Sequence, residues 1–470
     1  MASRDIRSGP GRVLLFGHST RDHPLANAPC LIPQRDIWAT ALTVKFIATG
    51  TALPDGVWHT EPSWTEREIL LRGQSFGLSA RPFLVLEWCV SAVAVIFWVS
   101  VFLLAYIYAG YPLLVWALGR VRPFVPRREV FTGRMSVVIV GYNEASRLSQ
   151  KLQSLMASDC ASLIEDVLIG SDGSDDNTAE VIANFGDPRV RLVSFEERRG
   201  KPAVLNDLVP QCRTELVILM DARQALDPSA LSRLAACFAD ERVGVVSGEL
   251  VFRSEHADST AAEGIGAYWK YEKFIRKSES RFRSVPGATG ALYAIRKSLF
   301  RPIPPQTLLD DVVIPMQAIE QGYRCLIEPG AIAYDTPSQS SQQESVRKRR
   351  TIAGAAQLVI NQPRWLLPWK NPIWIEFVSH KIARLCSPAL LVTAAVANIA
   401  LASQLLYGVL VGLQFAFYAA AGVGFIFQRQ GKKSSLFGLP LMFVSLNTTT
   451  TAALWDALRG RFHATWQRAA

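Results

Sequence analysis

The stretch MSVVIVGYNE, residues 135–144, decides the fold class of this chain. Residues 135–140 form a short run rich in β-branched side chains, which is typical of a buried strand. The polar turn Gly141-Tyr142-Asn143-Glu144 follows, and leucines at helical spacing come after it. The stretch therefore predicts a strand, a turn and a helix, with Asn143 at the carboxyl end of the strand.

The same unit recurs towards the C-terminus. Strands are predicted at 167–171, 190–193 and 216–220, and helices near 178–184, 201–208 and 228–238. Strands that alternate with helices of this length indicate an α/β fold with a mostly parallel, doubly wound sheet. Such sheets bind ligands beyond the carboxyl ends of their strands. Asn143, Asp172 and Asp221 all follow predicted strands, so we expect them to meet at one ligand-binding edge.

Apolar residues are concentrated outside this α/β region, which we place at 130–362. The chain has 470 residues, of which 49% are hydrophobic, and residues 83–118 and 385–427 carry almost no charge. Because a bilayer needs about 20 apolar residues per helix, the first stretch predicts one span and an aromatic shoulder. The second predicts a hairpin of two spans that divides near Tyr407-Gly408. Residues 436–455, with Asn447, either span, re-enter or lie at the interface.

Positive charge accompanies the apolar segments. The net charge is +10, and residues 347–384 contain eight Lys or Arg and one acidic residue, Glu376. Positive residues beside spans stay cytoplasmic and attract anionic lipids. We therefore expect a multi-pass protein of the plasma (inner) membrane with a cytoplasmic catalytic domain and no nucleic-acid partner. Seven scattered cysteines without a CxxC pair fit a reducing compartment rather than disulfides or zinc.

Two further segments differ in composition from the α/β region and from the long apolar stretches. Residues 1–82 show neither a helical period nor a signal peptide, and we interpret them as a disordered extension or a misassigned start. Residues 363–384 combine tryptophans with Lys and Arg, which predicts an interfacial amphipathic helix. His380, within this segment, is interpreted as structural.

The heptapeptide Asp172-Gly173-Ser174-Asp175-Asp176-Asn177-Thr178 joins a predicted strand to a predicted helix. Glycine permits a tight turn and Asp or Asn can cap the helix, so a simple capped turn is one interpretation. A nucleotide-binding loop is the other. A calcium loop is disfavoured because the twelve-residue spacing with a terminal Glu is missing.

Two motifs suit a diphosphate. Asp221 ends the most apolar predicted strand, where a carboxylate could hold Mg²⁺ or Mn²⁺, although a helix cap is the simpler interpretation. Lys201 follows Gly200 at a predicted helix start, where amides and a cation favour phosphate; a solvated lysine is the alternative.

The adjacent acids Asp310 and Asp311 lie on a predicted loop before a helix at 312–321. One of them could act as general base while the other orients the loop. Upstream, the small residues Gly287, Thr289 and Gly290 would let a substrate approach the backbone.

Together these motifs resemble, over about residues 95–465, a membrane-anchored family 2 glycosyltransferase of the GT-A fold, in the cellulose and hyaluronan synthase-like superfamily. The resemblance is carried by the segments 136–144, 172–178, 200–206, 221–224, 287–296 and 309–312. It implies that the nucleotide contacts Asn143, Glu144, Asp172 and Lys201. It also implies a metal–diphosphate contact for Asp221. Asp311 stands at the family's base position, eleven residues before Gly322.

Two departures from the family pattern change the expected function. The metal motif usually has acids two residues apart, but the second position here is Arg223. At the positions of the Gln-x-x-Arg-Trp motif of the polymer synthases stand Arg347, Arg350 and Thr351, so the Arg is kept and the acceptor-stacking Trp is missing. The second departure favours the transfer of single sugars over processive elongation.

The sequence thus predicts an inverting, non-processive hexosyltransferase that uses a nucleoside diphosphate sugar, UDP-linked, and a lipid-linked or saccharide acceptor. Arg349 and Arg350 are candidates to stabilise the leaving diphosphate. A processive polysaccharide synthase with coupled export is the first alternative. A catalytically silent membrane partner of another transferase is the second, because of Arg223. A nicotinamide oxidoreductase is disfavoured, since no GxGxxG follows the first strand.

Overall fold

The computed structural model describes residues 81–252, 260–335, 341–432 and 434–460. The predicted extension at 1–82 lies outside them apart from its last two residues. The strands are β1 Met135–Gly141, β2 Ile164–Asp172, β3 Val190–Phe195, β4 Leu216–Asp221, β5 Ala225–Leu226, β6 Val243–Phe252, β7 Tyr293–Arg296 and β8 Arg324–Asp335. The helices are α1 Arg81–Ala105, α2 Tyr111–Val121, α3 Ala145–Met156, α4 Thr178–Phe185, α5 Lys201–Leu208, α6 Ala230–Ala236, α7 Thr260–Phe282, α8 Asp310–Glu320, α9 Ser341–Asn361, α10 Trp374–Phe377, α11 Ser387–Ala400, α12 Leu405–Arg429 and α13 Ser435–Leu458.

The eight strands form one mixed sheet in the order β3-β2-β1-β4-β7-β6-β8-β5. The half formed by β3, β2, β1 and β4 is parallel, and β7 runs antiparallel to both of its neighbours. The predicted strand–helix alternation is confirmed, and helices cover both faces of the sheet. Residues 135–140 of β1 are fully buried, as expected for a central strand of an α/β sheet.

Alternate residues of β1 enter two different cores. Val137 and Ile139 pack with α3 and α6 on one face, whereas Val138 packs with α5 and α8 on the other. The period-2 alternation of strand side chains places the cores on opposite sides of the sheet. Because both faces are buried, the strand sequence is apolar almost throughout and its register is fixed.

Three described helical stretches are long and apolar enough to cross a bilayer: Val90–Val121, Trp374–Ala400 and Leu405–Arg429. The first runs through α1 and α2 with a π-helical turn, Tyr106–Gly110, between them. The last two are joined by residues 401–404 and form a helical hairpin. The predicted division at Tyr407-Gly408 is wrong, however, because both residues lie inside α12 and the turn is at residues 401–404. Gly408 allows the turn to pack closely, since a Cβ there would lie 3.1 Å from the Ala402 carbonyl oxygen.

The interfacial segment is not the single helix that the sequence predicted. It is a broken series of 3-10, α and π turns from Pro363 to Cys386, interrupted at Pro368 and Pro372 where proline removes backbone donors. Trp365 is fully buried, and its Nε1 donates to Glu320 Oε1 at 2.8 Å. This tryptophan therefore stabilises the α/β domain and does not lie on a lipid surface.

α13 covers the weaker apolar candidate at 436–455 as one continuous helix. Its threonines satisfy their hydroxyls locally; for example, Thr450 Oγ1 donates to the Leu446 carbonyl at 2.8 Å. α13 packs against α12 on one side and against α7 and α9 of the α/β domain on the other. It therefore bridges the apolar helices and the α/β domain.

Candidate active site

The register of the parallel strands brings the polar loops to one edge. Val140 of β1 pairs with Asp221 of β4, and Gly141 pairs with Ser171 of β2. Asn143, which follows β1, has a φ of 55° and accepts through Oδ1 from the Asp175 amide at 3.0 Å. The expectation that these loops meet at one edge is thus fulfilled.

Asp172 is buried and shapes the next loop. Its two carboxylate oxygens accept from the amides of Arg199 at 2.7 Å and Gly200 at 2.9 Å. Gly200, with φ of 89°, then starts α5 and places Lys201 at its first position. The capping function in this heptapeptide belongs to Asp176, whose carboxylate accepts from the Thr178 and Ala145 amides. Glu144 begins α3 and pairs with Arg147 at 3.2 Å.

Lys201 joins two carboxylates that are far apart in the sequence. Its ammonium lies 2.8 Å from Asp221 Oδ1 and 3.3 Å from Asp310 Oδ2, and all three side chains are largely buried. Burial alone would lower the pKa of Lys201, but the charges of Asp221 and Asp310 outweigh it and raise the pKa. The lysine is therefore a permanent cation at the centre of the site.

Asp311 lies beside this group with a different environment. Its Oδ2 accepts from the Gly290 amide at 3.2 Å. Burial and the charge of Asp310 raise the pKa of Asp311 to about 6. The expected loop position is wrong, because both acids occupy the first turn of α8, where the helix dipole favours negative charge.

The three small residues proposed for the acceptor are brought next to these acids. A Cβ on Gly290 would lie 3.6 Å from both Asp311 Oδ2 and Lys201 Nζ, so only a residue without a side chain leaves that space open. The Thr289 amide donates to Ser247 Oγ at 3.0 Å, which fixes the loop. Gly287 has a φ of 141° and packs against the start of α8.

The two candidate arginines point to different places. Arg350 lines the cavity that contains Asp311, whereas Arg349 forms an ion pair with Asp456 of α13. Successive residues of a helix face different directions, about 100° apart. This placement is at odds with a role for Arg349 at the diphosphate and leaves Arg350 as the candidate.

The residues fit a divalent cation only with help from a substrate. Among the described residues, no group of three or more His, Cys, Asp or Glu side chains has the arrangement of a metal site. Arg223, at the position of the second acid, pairs instead with Asp335 at 3.3 Å. Asp221 nevertheless supplies a hard oxygen ligand, although its Oδ1 and the Oδ2 of Asp310 both lie within 3.3 Å of the Lys201 ammonium. Substrate phosphates and water would complete such a site.

A cavity of about 670 Å³ adjoins these acids. Sequence reasoning missed one of its walls, formed by Glu272 and Arg276 of α7 together with Lys381 and Arg384. His380 is buried there, with Nε2 2.7 Å from Glu272 Oε1 and Nδ1 2.8 Å from Glu279 Oε1. The only signal in the sequence was the charged, helix-periodic pattern of α7.

A mixed α/β sheet of this order, with a lysine, three carboxylates and a glycine loop at its carboxyl edge, has the GT-A type of fold that glycosyltransferases share. Residues 133–354 match the family model "Glycosyltransferase like family 2". This segment, a little under half of the chain, is therefore a glycosyltransferase domain like those of family 2, as the resemblance in its motifs predicted.

Curated relatives and a solved structure agree with this assignment. The chain is 24% identical over 205 residues to poly-beta-1,6-N-acetyl-D-glucosamine synthases of Staphylococcus epidermidis and Staphylococcus aureus. That alignment covers 43% of this chain and 49% of each relative, so the chain spans about half the length of the curated relatives it matches. A mannosyltransferase from Pyrobaculum calidifontis, solved with GDP-Man and Mn²⁺, has the same fold, with a TM-score of 0.59 and 21% identity over 78% of this chain and 99% of that one.

Proposed function

We propose that this protein transfers a hexose or N-acetylhexosamine from a nucleoside diphosphate sugar, UDP-linked, to a lipid-linked or saccharide acceptor. One sugar is added at a time, with inversion at the anomeric carbon. The observation that carries the proposal is the position of Asp311, with its raised pKa, next to Gly290, Lys201 and Asp221. A general base works best when its pKa is near the working pH.

In this reaction Asp311 accepts the proton of the acceptor hydroxyl. The acceptor oxygen forms a bond to the anomeric carbon as the bond from that carbon to the diphosphate oxygen breaks. The nucleoside diphosphate leaves with the bonding electron pair, while Lys201 and Arg350 lie at the cavity to balance its negative charge. Asn143, Glu144 and Asp172 are proposed to hold the nucleotide.

Asp221 is proposed to hold Mg²⁺ or Mn²⁺. Such an ion would neutralise charge on the departing diphosphate. Lys201 would then have to share Asp221 with the ion, while keeping its contact with Asp310. The Mn²⁺ in the similar mannosyltransferase structure supports this proposal.

The apolar helices and the positive charges beside them support a multi-pass protein of the plasma membrane whose catalytic domain faces the cytoplasm. A processive synthase is the second candidate, favoured by the names of the staphylococcal relatives. Against it, Thr351 lines the cavity at the position where the polymer synthases have Trp.

A donor screen tests the proposal. The full-length protein, purified in detergent, would be incubated with a panel of nucleotide sugars and Mn²⁺ or Mg²⁺, and the release of UDP or GDP measured. We expect turnover of a UDP-sugar and, with acceptor, a product one sugar heavier by mass spectrometry. A polymer ladder would favour the processive candidate. No release from any donor would favour a catalytically silent partner.

A further inference from the structure

The glycine loop, residues 287–290, brings the Gly290 amide to the carboxylate of Asp311. Gly287 and Gly290 have no side chains with which to pack, and glycine loses more conformational freedom on folding than any other residue. Groups outside the loop must therefore hold it in place. One such contact lies next to the base itself, since the Ala288 amide donates to the Asp311 backbone carbonyl at 2.7 Å.

The hydroxyl of Ser247, on β6, also holds the loop. Ser247 is fully buried, and its hydroxyl has one hydrogen to donate and two lone pairs to accept. Its Oγ donates to the Gly248 carbonyl at 2.9 Å and accepts from the Thr289 amide at 3.0 Å and from Arg276 at 3.4 Å. The pairing of β6 with β8 shifts register between Ser247 and Glu249, and such irregularities re-aim side chains. This hydroxyl therefore ties the loop to the sheet.

Arg276 of α7 holds the loop from the other side. Its guanidinium donates to the Gly287 carbonyl at 3.1 Å as well as to Ser247. Glu272 and Glu279, which hold the buried histidine of the cavity wall, lie four residues before and three residues after Arg276. Residues at these spacings share one face of a helix. The same face of α7 thus contacts both the glycine loop and the interfacial segment.

We propose that Ser247 and Arg276 are positioning residues for the base: they hold the glycine loop so that the Gly290 amide stays on the carboxylate of Asp311. Arg276 lines the cavity, whereas Ser247 lies outside its lining and acts only through the loop. This inference rests on the proposed function, in which Asp311 takes the acceptor proton. It adds two residues that the sequence motifs did not single out.

The amide contact has a consequence for the ionisation of Asp311. A hydrogen bond donated to a carboxylate favours its charged form and so lowers its pKa. The charged groups that act on Asp311 are Asp310 beside it on α8, Asp221 at the end of β4, Lys201 at the start of α5 and Lys381 of the interfacial segment. None of these four belongs to the loop. Releasing the loop should therefore raise the pKa of Asp311 by removing the amide alone.

Kinetics of two variants of the full-length protein in detergent test this inference. The substrate is the sugar donor that turns over in the donor screen, and the readout is release of its nucleoside diphosphate. Ser247→Ala and Arg276→Met should each lower kcat at least about tenfold, because a small misplacement of a catalytic group is costly. Donor KM, and UDP affinity by titration calorimetry, should change less than about threefold. The pH at which kcat/KM levels off should rise from about 6 by roughly half a pH unit.

Two control variants separate positioning from a general loss of stability. Ser136 is as buried as Ser247, and its Oγ accepts from Thr214 Oγ1 at 2.9 Å near the start of β1, at the opposite edge of the sheet. Ser136→Ala should lower Tm as Ser247→Ala does and leave kcat and the pH profile as they are. Lys270→Met removes an exposed cation of α7 outside the cavity lining and should change neither.

The double variant tests whether the two residues act through one loop. Changes that disrupt the same contact are not additive, so Ser247→Ala with Arg276→Met should lose little more kcat than the more damaging single change. Multiplied losses would show that Arg276 acts on the substrate directly and would overturn its positioning role. If Ser247→Ala does not fold, Arg276→Met and its pH profile decide the matter.

Two further results would overturn the inference and leave the proposed function standing. One is an unchanged kcat in folded Ser247→Ala. The other is a lower kcat in both variants with the pH profile unmoved, which would mean that the Gly290 amide still reaches Asp311. Failure of the wild-type protein to turn over any nucleotide sugar would instead remove the proposed function, and this inference with it.

Discussion

Two adjacent carboxylates, Asp310 and Asp311, have different partners and so different chemistry. Asp310 Oδ2 lies 3.3 Å from the Lys201 ammonium and forms an ion pair with it. Asp311 accepts a hydrogen bond from the neutral Gly290 amide, and burial together with the charge of Asp310 raises its pKa. A base must be able to take a proton from the substrate, and a carboxylate paired with lysine does this poorly. The contacts of the two carboxylates thus favour Asp311 as the base, as does its position eleven residues before Gly322 in the sequence.

Replacing the base tests its role directly. Asp311→Asn should reduce transfer by at least about 10³-fold, since general base catalysis and its electrostatic setting are lost together. Nucleotide affinity, measured by titration calorimetry, should change by less than about threefold. An equal loss of transfer and of nucleotide binding would contradict the role of Asp311 as base.

Asp311→Asn should also change the thermal stability of the protein, by an amount that depends on pH. Because the pKa of Asp311 is raised from 3.8 to about 6, the folded state holds a proton that the unfolded state releases between these values. The ionised group therefore opposes folding above pH 6, and this opposition disappears as the pH falls below 3.8. Asp311→Asn should raise Tm by roughly 2–5 °C at pH 8 and by almost nothing at pH 3.5. A lower Tm of the variant at pH 8 would contradict the prediction that the ionised Asp311 opposes folding.

Activity should depend on pH through the same group. The base is ionised only above pH 6, so kcat/KM should rise about tenfold per pH unit below this value and level off above it. Initial rates with saturating metal between pH 4.5 and 8.5 would measure the profile. The residual activity of Asp311→Asn should lack this step, and a step that persists in it would assign the titration to another group.

Arg223 stands where the metal motif of the family usually has a second acid, so we expect the protein to bind its metal ion weakly. Arg223→Asp restores a second carboxylate two residues after Asp221 and should lower the Mn²⁺ concentration for half-maximal turnover about tenfold. Arg223→Ala is the control, because it also removes the ion pair with Asp335 but adds no oxygen ligand. If both variants shift the metal requirement equally, the effect comes from the lost pair and not from a new ligand.

At the scale of elements, the strands were predictable because burial on both faces makes them apolar throughout. β1, β2 and β4 read as β-branched runs, and the polar residues after them mark the carboxyl edge. The pairing of Lys201 with Asp221 and Asp310 was not predictable, since it joins residues 20 and 109 positions apart. Nor was the wall from α7, whose charged residues look like a solvated face until other elements cover them. The local sequence pattern specifies the strands and helices, whereas tertiary packing decides which charged side chains come into contact.

The loop before β7 depends on Gly287 to pass the start of α8. A Cβ at Gly287 would lie 2.9 Å from Val312 Cγ2, and φ is 141°. Gly287→Ala should destabilise the protein by about 2–4 kcal/mol through strain and overpacking together. Gly322→Ala is the control, with φ of 91° but nothing within 4 Å, and should cost only about 1 kcal/mol. Equal losses of stability in thermal unfolding would mean that the contact with Val312 is unimportant.

At the scale of the whole molecule, the catalytic domain and the apolar helices share buried polar contacts. Tyr111, in the first candidate span, donates to Glu279 of α7 at 2.5 Å, and the same carboxylate oxygen lies 2.8 Å from His380 Nδ1. Arg384 pairs with Glu272 at 2.8 Å just before α11 begins. These contacts fix the orientation of the apolar helices against the site.

That orientation can be measured through Cys386, the exposed cysteine between Arg384 and α11. With a cytoplasmic domain, a membrane-impermeant maleimide should label Cys386 in inverted vesicles and not in intact cells. Cys30 and Cys89 would first be changed to Ser, while Cys160, Cys212, Cys237 and Cys325 are buried. Leu405→Cys, added to a Cys386→Ser background, is the matched control: it is 86% exposed at the far end of the α11–α12 hairpin and should label only from outside. Labelling of Cys386 in intact cells, with Leu405→Cys protected, would reverse the orientation and place the proposed sugar transfer on the outer face.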